Sequence, residues 1–218
     1  MHKVFTVLGI ALLAAGTAWG QTVLYSENFS GQDSKGLTGG SPVVTNLTGV
    51  DWTITGDTSG LTATTDYYRV NSGVMEARDV DRLLTWESPS FSIFGYSALT
   101  FTADIGVGTQ GQFENTDVYN FEISIDGGSR ISLFTGTVDG AKNIVIDGTT
   151  LTSTLQSFTN SFGSIGSNAQ IFVEVDNNAD AEVMKFSNLQ LSGTSAGNYW
   201  SGATNGGGDG VWTTAGTN

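Results

Sequence analysis

The chain has 218 residues, enough for one domain of ordinary size and too few for two large ones. Its formal net charge of −13 repels phosphate groups, so binding to nucleic acid or to an anionic membrane surface is disfavoured. The 30 glycines, 2 prolines and 39% hydrophobic residues are typical of a β domain with tight turns and a packed core rather than of a disordered chain.

The N-terminus is typical of a secretory signal peptide. The basic start Met1–Lys3 precedes an apolar run, Val4–Ala15, that is too short to span a bilayer. Small residues at Ala18 and Gly20 predict cleavage before Gln21; a buried core helix is the alternative. We therefore predict a signal peptide at 1–20, no transmembrane segment, and a secreted or cell-surface protein.

Cleavage would also remove His2, which is the only histidine, and the chain contains no cysteine. Nucleophilic sites that depend on histidine or cysteine are then excluded, and so are zinc sites built on imidazole or thiolate. Disulfides are excluded as well. Sites for cations that prefer oxygen ligands, such as Ca²⁺, are not excluded.

Beyond the leader, apolar and polar residues alternate in short runs separated by turn residues, which predicts successive β-strands. Helical periodicity does not extend beyond a turn or two, although Thr152–Phe162 is compatible with a short helix. The Gly-, Ser- and Thr-rich stretch Ser30–Thr48 predicts a long loop. Strands are predicted at Thr22–Phe29, Val50–Thr55, Asp66–Val70, Val74–Asp79, Leu83–Glu87, Ala98–Asp104, Val118–Asp126, Ser129–Phe134, Gln170–Val175 and Val183–Ser192, with weaker signals at Ile144–Ile146 and Thr150–Leu155.

This pattern predicts an all-β fold, an antiparallel β-sandwich of jelly-roll type. The first and last strands of such a sandwich commonly pair, so we expect the domain to extend over 21–193. The composition changes after Gly193, where Trp200 and Trp212 stand among Gly, Thr and Asn residues. We predict that 194–218 is a separate tail, and one interpretation of this tail is the start of a β-repeat region.

Several segments resemble secreted, concanavalin-like jelly-roll modules of multidomain bacterial surface proteins. The resemblance implies a non-catalytic extracellular module that in some cases binds sugar and often carries structural calcium. The tail Trp200–Asn218 is similar to the opening of autotransporter-associated β-strand repeats. The matching segments are Ser26–Phe29 (SENF), Asp66–Pro89 (DYYRVNSGVMEARDVDRLLTWESP), Ile93–Ile105 (IFGYSALTFTADI), Thr116–Gly128 (TDVYNFEISIDGG) and Val173–Gly193 (VEVDNNADAEVMKFSNLQLSG).

Two pairs of residues are candidate calcium ligands. Asp79 and Asp81 are two residues apart and would project to one face of a regular strand, where a divalent cation would relieve their repulsion. The alternative is a solvated acidic turn. Glu27 in the first strand and Asn188 in the last would meet at one sheet edge, where sugar-binding jelly rolls of similar layout hold calcium. A surface glutamate and a turn-capping asparagine are the alternative there.

Aromatic side chains provide the candidate ligand-binding residues. Trp86, Tyr67 and Tyr68 could form a stacking platform for the rings of an extracellular polysaccharide or surface glycan, although aromatic residues in strands more often belong to a core. Tyr67 and Tyr68 are adjacent in sequence, so one of the two must point away from the core.

Three functions compete on this sequence. The leading interpretation is a secreted, non-catalytic module for adhesion or carbohydrate binding, and the second is a structural spacer in an autotransporter-like surface protein. The third, a glycoside hydrolase or lyase, is disfavoured. Glycoside hydrolysis needs two facing carboxyl groups, and Glu114, Asp117 and Glu122 do not match the E-x-D-x-x-E strand motif of jelly-roll glucanases.

Overall fold

The computed structural model describes residues 20–163, 166–196, 198–201 and 211–214, and side chains in 20–163 and 166–196. The predicted signal peptide therefore lies outside the described residues, except for Gly20. The part of the chain that is described contains a single 3₁₀ turn, Thr58–Gly60, and no helix long and apolar enough to cross a membrane. Its strands are β1 (Thr22–Glu27), β2 (Gly36–Thr38), β3 (Val44–Asn46), β4 (Thr53–Gly56), β5 (Tyr67–Asn71), β6 (Val74–Arg78), β7 (Leu84–Glu87), β8 (Phe91–Ser92), β9 (Tyr96–Val107), β10 (Val118–Ile125), β11 (Ile131–Thr135), β12 (Thr137–Val138), β13 (Ile144–Ile146), β14 (Thr149–Thr150), β15 (Gln156–Phe162), β16 (Asn168–Asp176), β17 (Val183–Ser195), β18 (Asn198–Ser201) and β19 (Val211–Thr214).

Two antiparallel sheets form the sandwich, which confirms the predicted fold, and β12, β13 and β14 form a third, small sheet. The larger sheet has the strand order β15-β9-β17-β6-β5-β2-β3, and β1 also pairs with β17. The smaller sheet has the order β11-β10-β16-β7-β4, with β8 beside β16. The chain passes repeatedly from one sheet to the other, as from β9 to β10 and from β16 to β17, which is typical of jelly-roll connections.

The predicted pairing of the first and last strands of the sandwich is also confirmed. In this pairing Glu27 lies opposite Leu189, and Thr22 lies opposite Gly193. The strand β17 is long enough to pair with both β6 and β1 along one edge and with β9 along the other. It ends at Ser195, and the tail strands β18 and β19 pair with each other.

The weaker strand signal at Thr150–Leu155 corresponds only to the two-residue strand β14, and two other local predictions are wrong. The segment predicted as the loop Ser30–Thr48 contains β2 and β3, which extend the larger sheet beyond β5. The segment Thr152–Phe162 contains β15 rather than a helix, because pairing with β9 buries Phe158 opposite Ala103. In both places the partner strand decides the conformation, since these short polar stretches have weak preferences of their own.

The core lies between the inner faces of the two sheets and is rich in aromatic rings. Trp86 of β7 lies 6.0 Å from Phe186 of β17 and 5.9 Å from Phe29, measured between ring centroids. The apolar residues that alternate along β10 face this core, since Tyr119 and Phe121 are buried. Burying rings of this size supplies much of the free energy that stabilises a sandwich without disulfides.

Candidate functional site

One buried side chain, Asn177, connects the loops that follow β6 and β16. Asn177 is 0% exposed, and its Oδ1 accepts a hydrogen bond from the backbone N–H of Val80 at 3.0 Å. Its Nδ2 donates to the carbonyl oxygens of Ala77 at 3.1 Å and Glu182 at 2.5 Å. Because each of these bonds satisfies a buried polar group, Asn177 fixes two loops that carry acidic side chains.

The predicted calcium ligands Asp79 and Asp81 lie in the first of these loops and not on a strand. The strand β6 ends at Arg78, and the two aspartates have φ angles of 48° and 54°. These positive φ angles take the chain out of the regular strand conformation, and Val80 between the two aspartates is fully buried. The expected geometry, two carboxylates on one face of a strand, is therefore wrong.

Asp79 has two other acidic neighbours, Asp66 and Asp180. One carboxylate oxygen from each of these three residues, which we call the Asp79 cluster, lies within 4.8 Å of the others. Asp180 also pairs with Arg78 at 2.9 Å. Burial raises the pKa of Asp79, and the charges of Asp81 and of the two cluster partners raise it further. Asp81 thus contributes charge to the cluster without being one of its members.

A second group of three carboxylates, which we call the Glu182 cluster, consists of Glu114, Asp117 and Glu182. Their oxygens also lie within 4.8 Å of one another. Glu182 directly precedes β17 and is only 1% exposed, and its Oε2 accepts a hydrogen bond from the backbone N–H of Asn178 at 2.8 Å. Lys142 Nζ lies 2.5 Å from Glu114 Oε1 at the exposed side of the cluster. Glu114 and Asp117 stand close together in the sequence, whereas Glu182 is brought to them by the fold from a distant segment that carries no sequence signal for this contact.

The proximity of these carboxylates changes their ionisation. Burial raises the pKa of Asp117 to about 6, against the lowering effect of a hydrogen bond from the backbone N–H of Glu114. Burial raises the pKa of Glu182 to about 8, and its hydrogen bond with the Glu114 carboxylate acts in the same direction. Two ionised carboxylates repel each other at this distance, and either a proton or a bound cation would relieve the repulsion. Both clusters could bind a metal ion, and their oxygen-only donors fit a hard cation such as Ca²⁺.

Glu27 and Asn188 lie on the rim of one pocket of about 190 Å³ beside the β1–β17 pair. The Glu27 carboxylate accepts hydrogen bonds from the backbone N–H of Phe29 at 2.6 Å and from Gln32 Nε2 at 3.1 Å. Asn188 Nδ2 donates instead to Asp104 Oδ2 at 2.6 Å. The two predicted ligands are thus brought to one edge, while their polar atoms bond to different partners.

The three predicted aromatic residues have different surroundings. Trp86 and Tyr68 are completely buried in the core, and the Tyr68 hydroxyl donates to the carbonyl oxygen of Val173 at 3.2 Å. Neither ring therefore presents a face on which a sugar could stack. Tyr67 points to the opposite side of β5, onto the outer face of the larger sheet, where the Arg69 guanidinium covers its ring.

The outer face of the smaller sheet carries two rows of side chains that cross β4, β7, β16, β10 and β11. We call this surface the polar face. Its residues alternate along each strand with the core residues, and nine of the ten can form side-chain hydrogen bonds. The first row is Thr53, Glu87, Phe172, Glu122 and Ser132, and the second is Thr55, Thr85, Glu174, Asn120 and Thr135.

An arginine lies over the aromatic ring at the centre of the polar face. The guanidinium carbon of Arg130 is 3.9 Å from the ring centroid of Phe172. The side chain of Phe172 lies on the outer side of β16, and the residue is only 7% exposed. Arg130 Nη1 also lies 2.5 Å from Glu174 Oε1 and 3.3 Å from Glu122 Oε2. The charge of Arg130 is therefore balanced within the face, and the sequence offered no signal that these residues would be neighbours.

The carboxylates considered for hydrolysis are separated by the fold. Glu122 lies on the polar face beside Arg130, whereas Glu114 and Asp117 belong to the Glu182 cluster. Glu122 therefore does not face Glu114 or Asp117 as the acid and the nucleophile of a glycoside hydrolase face each other across the glycosidic bond.

The chain matches no protein-family model and no curated protein. Among solved structures it is similar to the K3 cleaved adhesin domain of Lys-gingipain from Porphyromonas gingivalis, with a TM-score of 0.46, 13% identity, and coverage of 79% of this chain and 99% of that one. It is also similar to TmCBM61 in complex with β-1,4-galactotriose, with a TM-score of 0.36, 13% identity, and coverage of 64% and 86%. A third similar structure is a glycosyl hydrolase family protein from Mycobacterium fortuitum, with a TM-score of 0.41, 8% identity, and coverage of 78% and 99%. At these values the likenesses assign the chain to no family.

Proposed function

We propose that this protein is an exported, non-catalytic β-sandwich module that binds carbohydrate on its polar face and is stabilised by Ca²⁺. The observation that carries the proposal is the pair of cross-strand rows on the smaller sheet. Hydroxyl, amide and carboxylate groups are suitable partners for sugar hydroxyls, and Phe172 with the Arg130 guanidinium supplies a flat surface at the centre. Because these groups project from paired strands, they are held in place before a ligand arrives.

The spacing of the rows favours an extended glycan over a single sugar. Neighbouring strands in a sheet lie about 4.8 Å apart, which is close to the length of one pyranose ring. A linear chain that lies across the strands would therefore meet at least one polar side chain at each successive sugar. The hydrogen bond from the Thr55 hydroxyl to Glu87 Oε1, at 2.5 Å, shows that even the edge strand β4 contributes an oriented group.

Loss of the Glu174 carboxylate is expected to weaken glycan binding. The Glu174→Gln variant keeps the shape of the side chain but removes its charge, so affinity should fall by about tenfold, as for loss of a charge-assisted hydrogen bond. Isothermal titration calorimetry with linear β-glucan, galactan and xylan oligosaccharides, chosen from a glycan array, would measure the change. Thr159→Ala is the matched control, because Thr159 is exposed on the edge strand of the other sheet. If the folded protein binds no glycan on the array, carbohydrate binding is refuted and the spacer function is favoured.

Calcium is expected to stabilise the protein through the Glu182 cluster. An ion that binds only the folded state at 100 times its dissociation constant adds about 2.7 kcal/mol, which raises the melting temperature by about 5–11 °C in a domain of this size. Thermal unfolding in EDTA and then in excess Ca²⁺ at pH 8 would measure this shift. Glu182→Gln should abolish it, and Asp147→Asn, a charge loss at an exposed turn, should leave it intact.

The pH dependence supplies a control for this experiment. The folded-state pKa of Glu182 is raised from an ordinary value of 4.5 to about 8. The folded protein therefore binds more protons than the unfolded chain in this window, and without Ca²⁺ its stability falls as pH rises from about 4.5 to 8. The calcium shift should accordingly be large at pH 8 and small at pH 5. A shift that is lost in Asp79→Asn or Glu27→Gln, and not in Glu182→Gln, would place the ion at one of the sites predicted from the sequence.

A further inference from the structure

The outer face of the larger sheet carries another arginine that lies on an aromatic ring. The guanidinium carbon of Arg69, in β5, is 4.4 Å from the ring centroid of Tyr67, a residue that is 8% exposed. Arg69 Nη1 also donates to the hydroxyl of Thr38 at 3.0 Å, across the β2–β5 pair. The ring below and the hydroxyl beside it hold the planar guanidinium in one orientation, so little side-chain freedom remains to be lost when a ligand binds.

The charge of Arg69 is not balanced as that of Arg130 is. Arg130 has two carboxylate partners, whereas no carboxylate oxygen in the described part of the chain lies within 4.0 Å of Arg69. The whole sequence has 21 acidic and only 8 basic residues, so acidic partners are not scarce. An oriented arginine without one is therefore the exception in this protein.

The acidic residue opposite Arg69 is held by other groups. Glu76 is the register partner of Arg69 in the β5–β6 pair. Its Oε2 accepts hydrogen bonds from the Tyr67 hydroxyl at 3.2 Å and from Asn71 Nδ2 at 3.0 Å, and Lys185 Nζ lies 3.8 Å from its Oε1. These contacts occupy the Glu76 carboxylate, which forms no ion pair with Arg69 within 4.0 Å, so the guanidinium fork can bind an external acceptor.

The neighbouring strands carry two further basic residues on this face. Arg78 lies opposite Tyr67 on β6, and Lys185 lies opposite Glu76 on β17. Three of the 8 basic residues of the chain thus belong to adjacent strands around Tyr67. Arg78 is paired with Asp180, and Lys185 lies near Glu76, so the positive charge on this face that has no carboxylate partner is that of Arg69.

We propose that Arg69 is the centre of a second ligand site, which binds the carboxylate group of a uronic-acid sugar in an acidic polysaccharide. A planar guanidinium with a free edge matches the two oxygens of a carboxylate, which it can bind through two parallel hydrogen bonds. The hydroxyl of Thr38 and the amide of Asn71 lie on the same face and suit the hydroxyl groups of a sugar. This site is on the larger sheet, whereas the polar face is on the smaller sheet. The proposal therefore does not depend on glycan binding at the polar face.

The test compares an acidic with a neutral oligosaccharide of equal length. Isothermal titration calorimetry at physiological salt with oligogalacturonate is expected to show binding that Arg69→Gln weakens by about tenfold or more, the usual effect of losing a charged hydrogen-bond pair. Arg69→Lys should not restore it, because an ammonium group cannot bind both carboxylate oxygens in the same plane. Arg82→Gln is the matched control for the loss of one positive charge, since Arg82 is exposed and its Nε atom lies 3.7 Å from Asp57 Oδ2. The Arg82→Gln variant should retain the wild-type affinity.

Three results would overturn the proposal. The first is that the folded protein does not bind oligogalacturonate at all. The second is an equal loss in Arg69→Gln and Arg82→Gln, which would mean that only net charge matters. The third is tighter, Arg69-dependent binding of a carboxylate-rich peptide than of the oligouronate, which would assign the site to a protein ligand. Glu174→Gln should leave uronate binding unchanged, so failure of the polar-face site can be told apart from failure of this one.

Discussion

The Asn177→Ala variant is expected to be less stable than the wild type by about 2–5 kcal/mol, because it deletes several hydrogen bonds to buried groups at once. Asn177 is 0% exposed and bonds to Ala77 and Val80, at the end of β6 and in the loop after it, and to Glu182, in the loop after β16. Alanine at this position removes the hydrogen-bond partner of the Val80 N–H group and of the Ala77 and Glu182 carbonyl groups, at a site that is closed to water. Urea unfolding at pH 7 would measure the loss as a lower midpoint.

The same substitution should weaken calcium binding. The Asn177 amide holds the backbone of Glu182, and it also holds Val80 between the two aspartates of the preceding loop. Greater freedom in both loops raises the entropy that an ion must remove when it binds. Asn178→Ala is the control, because Asn178 is the exposed neighbour and its backbone N–H remains to bond with Glu182. A loss below about 0.5 kcal/mol in Asn177→Ala, the range of ordinary surface substitutions, would show that this network does not organise the loops.

The Trp86→Ala variant is expected to lose about 3–5 kcal/mol of stability, the usual cost of removing a large buried ring. Trp86 is completely buried among Phe29, Trp52 and Phe186, at centroid distances of 5.9, 6.3 and 6.0 Å. Thermal and urea unfolding would both report the loss. Phe94→Ala should change stability by no more than about 0.5 kcal/mol, since Phe94 is an exposed ring.

Trp86→Phe separates packing from ligand binding. The Trp86 Nε1 atom has no hydrogen-bond partner within the described part of the chain. Phenylalanine removes this unpartnered donor together with some volume, so we expect a smaller cost of about 1–2 kcal/mol. Glycan affinity of the folded variant should equal that of the wild type. A folded Trp86→Phe protein that no longer binds glycan would contradict the burial seen here and restore Trp86 as a stacking residue.

The sandwich could be predicted from the sequence because its strands carry their own pattern. In β10, apolar residues alternate with polar ones, and the structure buries Tyr119 and Phe121 as the pattern indicates. The hairpin turn at Asp126 and Gly127 is also a local signal, since both residues adopt positive φ angles there. The strand β15 carries a weaker pattern, because its two apolar residues, Phe158 and Phe162, are spaced for a helix as well as for a strand, and pairing with β9 decides the conformation.

Burial of individual aromatic residues was not predictable in the same way. The sequence required Tyr67 and Tyr68 to point in opposite directions, and they do. It contained no sign that Arg69 would cover Tyr67, or that Trp86 would be enclosed by rings from the other sheet. These facts depend on which strands are neighbours, and neighbours are chosen by the whole fold.

The candidate sites show the same division. Sequence by itself determined that a metal site in the predicted mature chain must use oxygen ligands, because no histidine or cysteine would remain. Only the tertiary structure decided which carboxylates meet. Asp79 meets Asp66 and Asp180 rather than Asp81, and Glu182 meets Glu114 from a segment far along the chain. The physical reason is that spacing along a strand specifies the direction of a side chain, whereas distance between loops is set by core packing and by buried groups such as Asn177.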